Sequence, residues 1–295
     1  MTMDKHFGTH DAQTMNLESN STVDLLHYFG YNDSDAGLVT WAHAVNSQRL
    51  FKDAVDRKLD FLEADILMRG GVGGVPIMAH PPAVDSDLTL ADFLQHSFPL
   101  KLGIKLDFKT NEAIRGSVSV LKSYWKRRTN VDGNQMCPFW MNADIVGHGS
   151  VGSGKVDADE FLETAGRVTP GATLSVGWNI HADYFKNDGA EESVNRFAYS
   201  YSDEDVKRMH YALVQRVSSD RPITFAVWAK FISDSKETLE WLTEQFPGST
   251  LTIWGKEGDA TAGELMTVYE ILPKSRVFLD LPDVLRNSLL SGDSH

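Results

Sequence analysis

Eight compact runs of apolar, β-branched and aromatic residues, separated by segments of helical spacing, constrain the fold of this 295-residue chain more than any other feature. They are LVTWAHAV from Leu38, FLEADILM from Phe61, LGIKLDFK from Leu102 and FWMNADIV from Phe139, then TLSVGWNI from Thr173, ITFAVWAK from Ile223, TLTIWGK from Thr250 and RVFLDL from Arg276. Runs of this length bounded by polar turns read as strands. Between them lie helical patterns such as SQRLFKDAVDRKL from Ser47, NEAIRGSVSVLKSYWKRR from Asn111 and AGELMTVYEIL from Ala262. Strands alternating with helices imply right-handed βαβ units and a parallel sheet. Eight units with no change of rhythm predict an α/β fold closed as a TIM (β/α)8 barrel, occupying 38–295 as a single domain. Residues 1–37 are expected to form a polar arm and a short helix, over 21–30, that closes the bottom of the barrel.

Charge and cysteine content narrow the chemistry. A formal net charge of -13 argues against a nucleic-acid partner, which requires a basic surface to displace phosphate counterions. An anionic substrate would therefore need a local cation, either a metal or inward-facing lysines. The single cysteine, Cys137, excludes an intramolecular disulfide and a cysteine-based zinc site. The first residues carry no apolar signal segment and no later stretch is long and apolar enough to span a membrane, so a soluble, cytoplasmic protein is expected.

Side chains two residues apart on a strand share a face. Glu63 and Asp65 are thus neighbours, as are Lys105, Asp107 and Lys109, and as are Asn142 and Asp144. If Ala64, Leu106, Phe108 and Ala143 face the helices, these polar groups face the barrel interior. Clustered carboxylates there raise one another's pKa, and a divalent cation is an economical remedy. The oxygen set of Glu63, Asp65 and Asp107 suits Mg²⁺ first and Ca²⁺ second. The competing interpretation is a metal-free salt-bridge network neutralised by Lys105 or Lys109. His43 closes the first strand pattern, and His80 follows a glycine-rich insertion that ought to return as an extended segment over 76–80. Two imidazoles converging on such a cup suit proton transfer near neutral pH.

The run His43-Ala44-Val45-Asn46, the Glu63-Ala64-Asp65 triplet, His80 before two prolines and Leu106-Asp107-Phe108-Lys109-Thr110 resemble, in this order, the phospholipase-C-like phosphodiesterase superfamily. The pattern is similar to glycerophosphodiester phosphodiesterases and sphingomyelinase D enzymes. With WAHAVNS, LEADI, MAHPP, KLDFKT, FWMNADI and LTIWGKEGD, the chain from Leu38 onward resembles the menorin family more closely. The superfamily resemblance implies a phosphoric diester hydrolase or lyase with His43 and His80 as the acid–base pair and Glu63, Asp65 and Asp107 as metal ligands. It further implies a phosphate-facing Lys109, with Asn46 and the rim aromatic Trp254 near the substrate. Lys105 and Asn142 join them as substrate-binding candidates. The implied substrate is a phosphodiester such as a phospholipid or glycerophosphodiester headgroup.

Ala44 stands where glycerophosphodiesterases carry arginine, and the disulfide-closed loop of secreted sphingomyelinase D enzymes is missing. Menorin resemblance also implies a second class of function, a non-catalytic signalling or adhesion protein that binds a protein partner and acts outside the cell. An aldolase-type barrel with a Lys105 or Lys109 Schiff base leaves both histidines unexplained. Tryptophans 41, 178, 228 and 254 sit near strand ends, as packing groups or pocket walls. The glycine loop GHGSVGSGK over 147–155 lacks the P-loop pattern because Val156 follows Lys155, and reads as a mobile rim loop.

Overall fold

The computed structural model describes residues 22–32, 35–71, 73–129, 137–181, 184 and 199–291. The arm expected over the first twenty residues lies outside them. All eight expected strands form, as β1 (Trp41–Ala42), β2 (Phe61–Arg69), β4 (Gly103–Phe108), β5 (Phe139–Gly147), β6 (Thr173–Asn179), β7 (Ile223–Trp228), β8 (Thr250–Trp254) and β9 (Val277–Asp280). They pair in parallel in the order β1-β2-β4-β5-β6-β7-β8-β9. The architecture is an α/β barrel, nearly closed, with β1 and β9 side by side at the seam. The ninth strand, β3 (Val75–Met78), runs antiparallel to the end of β2 across the glycine-rich turn. It is the returning segment foreseen before His80.

Three elements differ from the sequence pattern. The first strand is two residues long rather than eight. Ala36–Leu38 forms a single tight turn capped by the Asp35 side chain, and Ala44 at φ 53° ends the extended run after His43. The segment from Ala262 makes two short helices, Ala262–Leu265 and Val268–Ile271, instead of one, because the Thr267 N–H reaches back three residues to Glu264 and tightens the chain at the junction. A helix at Leu90–Ser97 was not anticipated. Thr89 caps it by accepting a hydrogen bond from the Asp92 N–H at 3.1 Å.

Strand alternation sorts the side chains as predicted. Ala64, Leu106, Phe108 and Ala143 point outward into one continuous core with Phe93, Ile114 and Phe161 of the surrounding helices. The opposite face fills the barrel in layers. At the bottom, Trp41, Phe61, Trp140 and Phe278 meet across the interior, with ring centroids 4.8 Å apart for Phe61 and Trp140 and 5.1 Å for Trp140 and Phe278. Such aromatic pairs add about 0.5–1.5 kcal/mol each beyond burial. Gly103 makes room for this layer, since a Cβ there would lie 2.4 Å from the Phe61 ring. Leu25 and Leu26 of the helix Thr22–Phe29 cover it from below, the closing role expected of that helix. With the bottom sealed by hydrocarbon, polar residues are confined to the upper layers.

Candidate functional site

One step up from the aromatic layer, each strand contributes a polar residue in place of a ring. Trp41 is followed two residues on by His43, Phe61 by Glu63, Trp140 by Asn142 and Phe278 by Asp280. Among the described residues, Glu63, Asp65 and Asp107 offer oxygen atoms that all lie within 4.8 Å of one another. The register explains the convergence: Asp65 of β2 stands directly opposite Asp107 of β4, and Glu63 opposite Lys105.

His43 lies over this group. Its Nδ1 donates to both oxygens of Asp280, at 3.2 and 3.1 Å, and is 3.5 Å from Glu63 Oε2. More than half of the His43 side chain is exposed, 57%, so the ring edge remains open while Asp280 is fully buried. The Asp280 charge, against the cost of burial and with help from Glu63, pushes the imidazole up to about 10. Burial works against ionising Asp280, yet His43 and Lys105 hold its carboxyl below the usual range.

Backbone strain fixes His43 further. Ala44 adopts the left-handed conformation that a residue with a Cβ rarely accepts. Its N–H donates to Glu63 Oε2 at 2.7 Å, while Val45 N–H donates to the Glu63 carbonyl at 2.8 Å. Glu63 therefore anchors the turn that carries His43. An arginine at position 44 would have to share that strained turn.

The remaining candidates form three groups. Asn46 uses its whole amide on Asp65: Nδ2 donates to Asp65 Oδ2 at 2.7 Å, and Oδ1 accepts the Asp65 N–H at 3.0 Å. Lys109 bridges the carboxylates, 2.8 Å from Asp65 Oδ1 and in contact with Asp107 Oδ2. Burial alone would lower the Lys109 ammonium, but Asp107, Asp65, Asp144 and Glu63 together raise it well above its ordinary value. Lys105 and Asn142 are buried, opposite Glu63 and Asp107 respectively. Lys105 reaches Asp280 at 3.5 Å and lies over the Trp41 ring, while Asn142 accepts from the Ser175 hydroxyl at 2.6 Å and bonds Asp107.

His80 and Trp254 occupy the rim. His80 directly follows Ala79, whose N–H donates to the Asp65 carbonyl, and its ring is exposed. Its Nδ1 donates to the Pro81 carbonyl at 2.6 Å, which in the neutral ring leaves Nε2 as the lone-pair nitrogen. Trp254 is half-buried and stacks at 10° on the buried Trp228, whose indole N–H donates to Asp259 at 2.7 Å. Trp178 points outward and donates to the Asp205 carbonyl, a packing role. Asp280 escaped the sequence reading. Its signal was a lone carboxylate at the end of RVFLDL, two residues beyond the inward Phe278.

The donor set fits a divalent cation. Burial, compounded by Asp65 and Asp107 and opposed by His43 and Lys105, pushes the Glu63 carboxyl up to about 7. A buried carboxyl so raised, beside the oxygens of two further carboxylates, is an environment that a hard cation would relieve.

A family model for the menorin N-terminal domain matches residues 35–286. The human protein FAM151B is 32% identical over 265 residues, covering 88% of this chain and 89% of that protein. The chain belongs to the menorin family. Among solved structures, this menorin chain is similar to a candidate glycerophosphodiester phosphodiesterase from Galdieria sulphuraria, with a TM-score of 0.48 and 11% identity over 85% of this chain and 96% of that one. It is also similar to the glycerophosphodiester phosphodiesterase of Agrobacterium tumefaciens, with a TM-score of 0.42 and 10% identity over 83% and 98% of the two chains. No helix among the described residues of the menorin chain is long and apolar enough to cross a membrane.

Proposed function

We propose that this menorin family chain is a divalent-cation-dependent phosphodiesterase acting on a phosphodiester such as a phospholipid or glycerophosphodiester headgroup. The observation that carries the reading is the convergence of Glu63, Asp65 and Asp107, with oxygens within 4.8 Å, beneath a histidine held by Asp280. Mg²⁺ or Ca²⁺ held by those three carboxylates would supply Lewis-acid stabilisation of charge on a phosphoryl oxygen. Asn46 keeps Asp65 in its ligand orientation, and Lys109 offers a second positive charge to the phosphoryl group.

The two histidines divide the proton work by their environments. His43, kept protonated by Asp280 at Nδ1, is suited to give the proton on its open Nε2 to the leaving oxygen. His80, with Nδ1–H committed to Pro81, has Nε2 available to take the proton of the attacking water or of a substrate hydroxyl. Trp254 gives the headgroup an apolar wall.

The test is a panel of lysophospholipids, glycerophosphodiesters and cyclic nucleotides incubated with the chain and Mg²⁺. Turnover of at least one phosphodiester is expected, with H43A and H80A each abolishing it while remaining folded. Hydrolysis that persists unchanged in both variants would sink the proposal.

A further inference from the structure

The glycine loop over 147–155 is attached at several points, and its attachments deliver one side chain to the mouth of the barrel. The Gly149 N–H donates to the buried Asp205 carboxylate at 2.8 Å, and Arg208 donates to the Gly149 carbonyl at 2.9 Å. On its return the loop presses against β5. A Cβ on Gly154 would lie 2.5 Å from the Asp144 carbonyl oxygen, so only glycine allows the approach. The β5–β6 register slips between Asp144 and Val146, which frees that carbonyl to accept the Lys155 N–H at 2.8 Å. Lys155 therefore starts from a fixed backbone position, and its Nζ meets Asp144 Oδ2 at 2.8 Å.

Asp144 shares the inward face of β5 with Asn142 and stands opposite Gly177, where a Cβ would come within 2.7 Å of its Oδ1. It also acts electrostatically on Lys109, which follows the neighbouring strand β4. Both members of the pair stay partly open to solvent, Lys155 at 39% and Asp144 at 21%. An ammonium has three N–H donors, and Asp144 engages one of them here. The charge balance makes the others important. Glu63, Asp65, Asp107, Asp144 and Asp280 crowd a cup whose other positive groups, among the described residues paired with them, are Lys105, Lys109 and His43.

We infer that Lys155, placed by the glycine loop and oriented by Asp144, is a substrate-binding residue that holds a non-bridging oxygen of the phosphodiester at the mouth of the site. This rests on the phosphodiesterase reading above and adds to the cation and Lys109 a further anion contact, across the cup from His43. Without Lys155 the Asp144 charge at the mouth would lose its 2.8 Å partner and disfavour an anion.

The test uses the full chain with Mg²⁺ and inorganic phosphate as the probe, followed by calorimetry, with K155M, K155R and D144N compared for binding and melting temperature. Loss of one charge-assisted hydrogen bond predicts about tenfold weaker phosphate binding in K155M, with recovery in K155R. D144N, which frees the ammonium while removing a negative charge, should bind phosphate at least as tightly as wild type. On whichever diester is turned over, K155M should raise KM more than it lowers kcat. Equal phosphate affinity in wild type and K155M, with both K155M and D144N merely melting earlier, would make the pair a loop latch and overturn this inference alone. Absence of phosphate binding in wild type would overturn it together with the phosphodiesterase reading.

Discussion

His43 and Asp280 lie 237 positions apart in sequence and 3.1 Å apart in space, across the seam where the first parallel strand meets the last. The same seam is spanned one layer below by Trp41 and Phe278, whose ring centroids are 6.4 Å apart. Side chains thus complete the barrel where the backbone ladder ends, and one of these contacts also sets the candidate proton donor. Closing the fold and building the site are the same event at this point.

Replacing Asp280 should therefore affect both. D280A leaves the buried Lys105 ammonium without its carboxylate partner, and removal of one member of a buried pair costs about 3–5 kcal/mol. D280N, milder in shape, should let His43 fall from about 10 toward its ordinary value near ~6.5. Because the folded-state value is raised, the pair stabilises the wild type fully below about pH 6.5 and loses that contribution as pH rises through about 10. Melting curves between neutral and alkaline pH should show this slope in wild type and its loss in D280N, with nuclear magnetic resonance titration of the His43 ring as the direct check.

Much of this was legible from local pattern. A period of two along FLEADILM and LGIKLDFK was enough to put Glu63, Asp65 and Asp107 on one side and Ala64, Leu106 and Phe108 on the other, because strand geometry leaves no alternative once one face is buried. What stayed hidden depended on closure or on side-chain bonding. Asp280 has no meaning until β9 comes beside β1, and spacing alone does not reveal that the Asn46 amide is bonded twice to Asp65. The first strand was overestimated because Val39 and Val45 are as apolar as the strand itself, while the strained turn at Ala44 is enforced from a distance by Glu63. The glycine loop reads as mobile by composition, yet two of its four glycines, Gly147 and Gly154, are there to let backbones touch.

The bottom layer offers a test of the fold that leaves the carboxylates alone. In G103A the added methyl would meet the Phe61 ring at 2.4 Å, and that ring is already confined by Trp41 and Trp140. Overpacking of this kind costs about 1–3 kcal/mol, so denaturant unfolding should shift to lower midpoint while cation binding at the cup is retained.

Acid should loosen the rim through Asp205. Burial pushes its carboxyl up, but the Ser202 hydroxyl and N–H, the Gly149 N–H and His148 outweigh this and hold it below the ordinary range. The depressed folded value means that the stabilisation is complete above about pH 4 and disappears as pH falls through that lower value. D205N should melt below wild type at pH 7, and the gap between them should narrow as the pH is taken below about 4. A constant gap across that range would show that the Asp205 charge contributes nothing to holding the loop.

The proposed cation-holding role of Glu63, Asp65 and Asp107 is the one on which phosphodiester turnover depends. It is tested most directly by following hydrolysis of the best substrate from the panel while Mg²⁺ is removed with chelator and then restored, in wild type and in D107N, with cation affinity measured in parallel by calorimetry. Wild type should lose turnover in chelator and regain it with Mg²⁺, and D107N should bind the cation at least about tenfold more weakly and need correspondingly more of it. Undiminished turnover in chelator, or cation affinity unchanged in D107N, would contradict the account.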